Sequence, residues 1–102
     1  MAADLLYHSK VHLVHTKTNA IAIAELTVWK VPKDKGFPEG VKYSLFLVDP
    51  QSANVIVGFD NHKPKSHHVH RGKLEKPYDF QGIDQLVEDF WQSVKEEGYL
   101  TT

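Results

Sequence analysis

Four of the chain's seven histidines fall in one polar stretch, Phe59-Asp60-Asn61-His62-Lys63-Pro64-Lys65-Ser66-His67-His68-Val69-His70-Arg71-Gly72. Imidazole exchanges protons readily near neutral pH. Lysine and arginine stabilise charge that develops on phosphoryl oxygens. His67, His68 and His70 stand beside Lys65, Arg71 and Lys73. Cleavage of RNA by its own 2′-hydroxyl needs a base, an acid and a cation facing the phosphorane, and this segment holds all three. The three histidines are therefore the catalytic candidates for a metal-independent ribonuclease, with Lys65, Arg71 and Lys73 as phosphate contacts. The same residues equally describe a non-catalytic module that grips nucleic acid or an acidic protein surface through a basic patch.

Metal ligation is the other chemistry open to this stretch. His68 and His70 lie two apart, so on an extended chain their rings share a face. His67 or His62 could add a third imidazole and Asp60 a carboxylate, a donor set suited to zinc, manganese or iron. The spacing matches no closed structural zinc site, and the chain has no cysteine. No metal or other cofactor is assigned from sequence; a divalent ion at the histidine cluster is the less favoured reading. Ser66 has no nucleophile-elbow motif around it, and the glycines are too dispersed for a phosphate loop.

Charge singles out the same region. Residues 62–76 carry Lys63, Lys65, Arg71, Lys73 and Lys76 against Glu75 alone, while residues 77–102 carry six acids against Lys95. The net charge of −1 argues for no partner in bulk. No apolar run approaches the ~18 residues that span a bilayer, and the first residues lack a signal-peptide pattern. The expectation is a cytoplasmic protein with no membrane contact.

The elements that must position these residues follow from periodicity. With 102 residues, a single domain over 1–102 is expected. Alternation predicts strands over about 10–15, 20–31, 41–48 and 55–60, with a short edge strand over 68–74. The alanines in the second of these suit a helix better than a strand. Gly58 marks a bulge or a close backbone approach. Ile83, Leu86, Val87, Phe90, Trp91 and Val94 recur on one helical face, predicting an amphipathic helix over about 82–97. The fold class is α+β: an antiparallel β-meander of four or five strands with one C-terminal helix packed on a face. Trp29 and Trp91 read as core or interface anchors. The edge strands and the Trp91 face leave room for a homodimer.

The order of features resembles a known family. Tyr43-Ser44-Leu45-Phe46-Leu47-Val48-Asp49, then Val57-Gly58-Phe59-Asp60-Asn61, then His67-His68-Val69-His70, then a closing helix, is similar to the TumE-type toxins of prokaryotic toxin–antitoxin pairs. The resemblance covers roughly residues 10–97. It departs from the family pattern at His62-Lys63-Pro64-Lys65, where an Ala-Pro-His-His type of segment is usual. It implies a toxin with a cognate antitoxin as partner, and RNA is the substrate that the histidine segment suits. Asp60 and Asn61, which otherwise read as a turn-initiating pair, join Lys65, Arg71 and Lys73 as the substrate-binding set.

Overall fold

The computed structural model describes residues 3–63 and 65–101. Seven strands form one antiparallel sheet: β1 (Asp4–His15), β2 (Ile21–Lys30), β3 (Val41–Val48), β4 (Val55–Asp60), β5 (His68–Arg71), β6 (Leu74–Pro77) and β7 (Tyr99–Thr101). The strand order is β6-β5-β4-β3-β2-β1-β7, so the first six strands run as a simple meander. One helix, α1 (Ile83–Glu96), then carries the chain from the β6 edge to the opposite edge. There β7 pairs with the end of β1, placing Tyr99 opposite His15.

The α+β class stands, but the sheet has seven strands rather than four or five. Two of the differences come from glycines at positive φ, a region that L side chains rarely adopt. Gly72 (φ 58) splits the 68–74 stretch into β5 and β6, which fold into a hairpin pairing His70 with Glu75. Gly98 (φ 92) turns the chain out of α1 into β7, whose three residues are too few to show a period. A third difference lies in β1, which starts at Asp4 rather than near residue 10. A register shift between Leu5 and Tyr7 breaks the alternation there and hides the strand from a period-2 reading.

Alternation along each strand assigns the two faces of the sheet. One face carries Leu13, Ala22, Ala24, Leu26, Val28, Tyr43, Leu45, Leu47, Val57, Phe59 and Val69, all buried. Leu86, Phe90 and Val94 of α1 close over it, with Phe90 edge-on to Phe59 at 6.2 Å between ring centroids. Each large side chain buried here contributes about 1.5–3 kcal/mol. That outweighs the helix preference of Ala22 and Ala24, which lie fully buried in mid-strand. Trp91 is half-buried and packs against this core beside Phe90. No helix among the described residues is long and apolar enough to cross a membrane.

The other face has no helix over it. The pairing register lines up Thr27, Ser44, Asp60 and His68 in one row across β2–β5. Glu25, Phe46, Gly58, His70 and Glu75 form the next row, reaching β6. Trp29 shares this face and is half-buried. The open face therefore carries the chemistry-bearing residues, and the helix-covered face holds most of the core.

Candidate functional site

The site is built by two strands in direct register. Asp60 ends β4 opposite His68 of β5, and Gly58 lies opposite His70. The period of 2 then puts Asp60, His68 and His70 on one face. His68 Nε2 lies 2.8 Å from Asp60 Oδ1, and His70 Nε2 lies 3.9 Å from Asp60 Oδ2. The two imidazoles meet edge to face, 4.7 Å between centroids. Asp60 and His68 are buried and His70 is one-quarter exposed, so His70 is the more accessible of the two imidazoles.

Neighbouring groups fix the ring orientations. His68 Nδ1–H donates to the Ser66 carbonyl at 2.8 Å. The proton sits on Nδ1 because a carbonyl can only accept, which in the neutral ring leaves Nε2 unprotonated beside Asp60. The 2.8 Å contact between Nε2 and Oδ1 lacks hydrogen-bond geometry, and Oδ1 is buried with no hydrogen-bond partner among the described residues. His70 Nδ1 faces Glu75 Oε2 at 3.4 Å, and Lys65 Nζ donates to Glu75 Oε1 at 2.6 Å. The Lys65 bond holds the Glu75 carboxyl below the usual carboxylate range. The Phe46 ring forms a wall beside His70, 6.4 Å between centroids and 29° from coplanar. It can lie there because residue 58 is glycine: a Cβ at that position would come 2.5 Å from Phe46 Cε1. The close approach expected at Gly58 is thus to this ring.

The remaining candidates are dispersed. His67 projects to the core side of the sheet, stacked on Phe80 at 4.6 Å and 6° and near-parallel to Tyr43 at 5.6 Å. The Tyr43 hydroxyl bonds to His67 Nδ1 at 2.8 Å, and His67 Nε2 lies 3.0 Å from Glu39. Burial pushes the Tyr43 hydroxyl far above its ordinary pKa, so it stays a neutral donor. Asn61 is buried and ties the start of β3: its Oδ1 accepts from the Tyr43 N–H and its Nδ2 donates to the Val41 carbonyl, each at 2.9 Å. Arg71 pairs with Glu96 at 2.5 Å and lies 3.8 Å from Glu97, turned toward the helix. Lys73 is exposed in the β5–β6 turn.

Two clefts flank β5 and β6. A cavity of about 310 Å³ is lined by Lys65, Ser66, His67, His68, Glu75, Lys76 and Pro77. A larger one of about 640 Å³ lies on the helix side, where Phe59, Val69 and Leu74 face Arg71, Asp89 and Glu96. The larger cavity has its one arginine neutralised by Glu96, and Asp60 and His70 are absent from its lining. The smaller one opens beside His67 and His68, and its lining likewise lacks Asp60 and His70. Glu75, Phe46 and Glu39 were not singled out from sequence. The signal for Glu75 was Gly72, since a turn centred there brings residue 75 opposite 70.

A seven-stranded antiparallel sheet with one face under a C-terminal helix and a carboxylate–imidazole cluster on the other defines an α+β protein with a sheet-borne site. The chain belongs to the TumE toxin family: the family model described as Toxin TumE matches residues 2–98. No curated protein and no solved structure matches it.

Proposed function

We propose that this chain is the toxin half of a toxin–antitoxin pair and acts on RNA at the open face of the sheet, centred on Asp60, His68 and His70. The family match supports the toxin, and with it a cognate antitoxin as partner. The observation that carries the site is the buried Asp60 carboxylate flanked by two imidazoles, one of them accessible. In the reaction the 2′-oxygen bonds to phosphorus as the bond to the 5′-oxygen breaks. The 2′-hydroxyl loses a proton and the leaving oxygen gains one. His70 is the group placed to meet substrate. His68, with Nδ1 bonded to the Ser66 carbonyl and Nε2 beside Asp60, is the less accessible imidazole. Lys65, held beside His70 through Glu75, is the nearest cation for phosphate.

The reading as a pure basic patch is weaker. Lys63, Lys65 and Arg71 each sit against an acid, namely Asp34, Glu75 and Glu96. Such pairing cuts the long-range field that a charge-driven binder uses to attract nucleic acid. The test is induction of the chain alone in a bacterial host beside His70→Ala at equal soluble level. Growth arrest and RNA loss with the parent chain, both absent with His70→Ala, support the proposal. Arrest that persists unchanged with His70→Ala, or intact RNA in arrested cells, overturns it.

A further inference from the structure

We propose that Asp60, His68 and His70 form a binding site for one divalent transition-metal cation, of the zinc or manganese class. The proposal extends the preceding reading at the same residues but stands on separate observations. One donor atom from each of the three side chains lies within 4.8 Å of the others. All three come from adjacent, directly paired strands, so the backbone ladder fixes their spacing.

The outer contacts match what metal-bound imidazoles require. A ligating histidine commonly donates its other ring N–H to a carbonyl or carboxylate, which fixes the tautomer and aims the free lone pair. His68 Nδ1–H does so toward the Ser66 carbonyl. His70 Nδ1 faces the Glu75 carboxylate at 3.4 Å. The two Nε2 atoms then lie 2.8 and 3.9 Å from the Asp60 carboxylate oxygens.

The buried Asp60 Oδ1 supplies the independent sign. It lacks a hydrogen-bond partner among the described residues, yet Nε2 of His68 stands 2.8 Å away. A buried carboxylate oxygen without a partner is costly. With the His68 proton on Nδ1, neither Nε2 nor Oδ1 has a proton to offer the other, and a cation bound by both would satisfy both atoms. At metal–ligand lengths of about 2.0–2.2 Å, a 2.8 Å N···O separation subtends roughly 80–90°. That is a cis angle for five- or six-coordination, which leaves positions for water or phosphate oxygens. Two imidazoles and one carboxylate match the preferences of such ions.

The experiment uses untagged full-length protein, stripped with chelator and dialysed. Co²⁺ is titrated in while visible absorption is followed, and Zn²⁺ and Mn²⁺ are titrated by calorimetry. The expected result is one equivalent per chain, with affinity lowered at least tenfold in His70→Ala and in Asp60→Asn. Glu75→Gln, a surface change that leaves all three ligands in place, should also weaken binding about tenfold. His12→Ala, an exposed histidine on the same strand system, serves as the control and should bind as the parent does. Absence of a stoichiometric site, or binding indifferent to Asp60→Asn, His70→Ala and Glu75→Gln in folded protein, overturns the proposal. The two readings separate in an RNA assay run with chelator. Cleavage by a chain that binds no cation retires the metal and keeps the RNA function. Stoichiometric binding with RNA untouched does the reverse.

Discussion

The ring of Phe46 occupies the space where residue 58 would carry a side chain: a Cβ there would sit 2.5 Å from Phe46 Cε1 and 2.7 Å from Cδ1. Gly58 and Phe46 are directly paired across β3 and β4, so neither can slide away along the strand. Gly58→Ala must therefore push the ring off its place beside His70. The expected cost is about 1–3 kcal/mol of stability, as for other overpacked sites, read from denaturant unfolding. Adding Phe46→Ala should recover part of it, and the two changes should be non-additive in a double-mutant cycle. Strict additivity would show that the ring is not held by the missing Cβ.

His67 and His70 should fail in opposite ways. His67 is stacked on Phe80, near-parallel to Tyr43 and hydrogen-bonded to Tyr43. His67→Ala should cost roughly 1–3 kcal/mol while the folded fraction keeps its effect on growth. His70→Ala should leave the unfolding midpoint nearly unchanged and abolish that effect. Unfolding curves beside growth curves at matched soluble level check both. A stable, inactive His67→Ala would place His67 in the working site after all.

Asn61 serves the frame of the site. Asn61→Ala strips partners from the Tyr43 N–H and the Val41 carbonyl at the start of β3. Two backbone groups left unpaired, one buried and one part-buried, should cost about 2–4 kcal/mol in unfolding experiments. Hydrogen exchange should show the Tyr43 amide losing protection first.

Stability should fall at high pH through two phenols. Burial raises the pKa of Tyr43 and Tyr78 above the ordinary 10.0, and for Tyr78 the bond it donates to Asp89 adds to the effect. A folded state that holds phenolic protons more tightly than the unfolded chain loses stability as these groups ionise. Their contribution is fully present below pH 10.0 and drains away as the pH rises beyond it. Thermal unfolding from pH 8 to 12 should show a decline that starts near 10 and is shallower in Tyr78→Phe. A decline starting well below 10 would assign it to other groups.

Much of the fold was legible because most strands are long enough to show their period. Residues 41–48 alternate cleanly, and Ile83 to Val94 trace one helical stripe. Where the sequence misled, a local device had broken the period: the register shift after Leu5, the turns at Gly72 and Gly98, and the three-residue length of β7. The site was half legible. The period of 2 along His67-His68-Val69-His70 is enough to put His67 on the face opposite His68 and His70, whereas composition alone groups all three. That Asp60 completes the cluster depends on strand register, and that Lys63, Lys65 and Arg71 meet acids depends on tertiary approach. Spacing along the chain carries neither.

The helix that covers the core follows the six strands of the meander along the chain. On the ribosome, at roughly 5–20 residues per second, β1 to β5 emerge well before residues 83–96. The Asp60–His68–His70 grouping rests on the β4–β5 pairing, on the face that α1 leaves open. Until α1 arrives, the apolar face of the sheet lacks the cover of Leu86, Phe90 and Val94. The nascent chain thus presents a broad greasy surface that the finished molecule conceals. A partner arriving during synthesis would meet a different protein from one arriving afterwards.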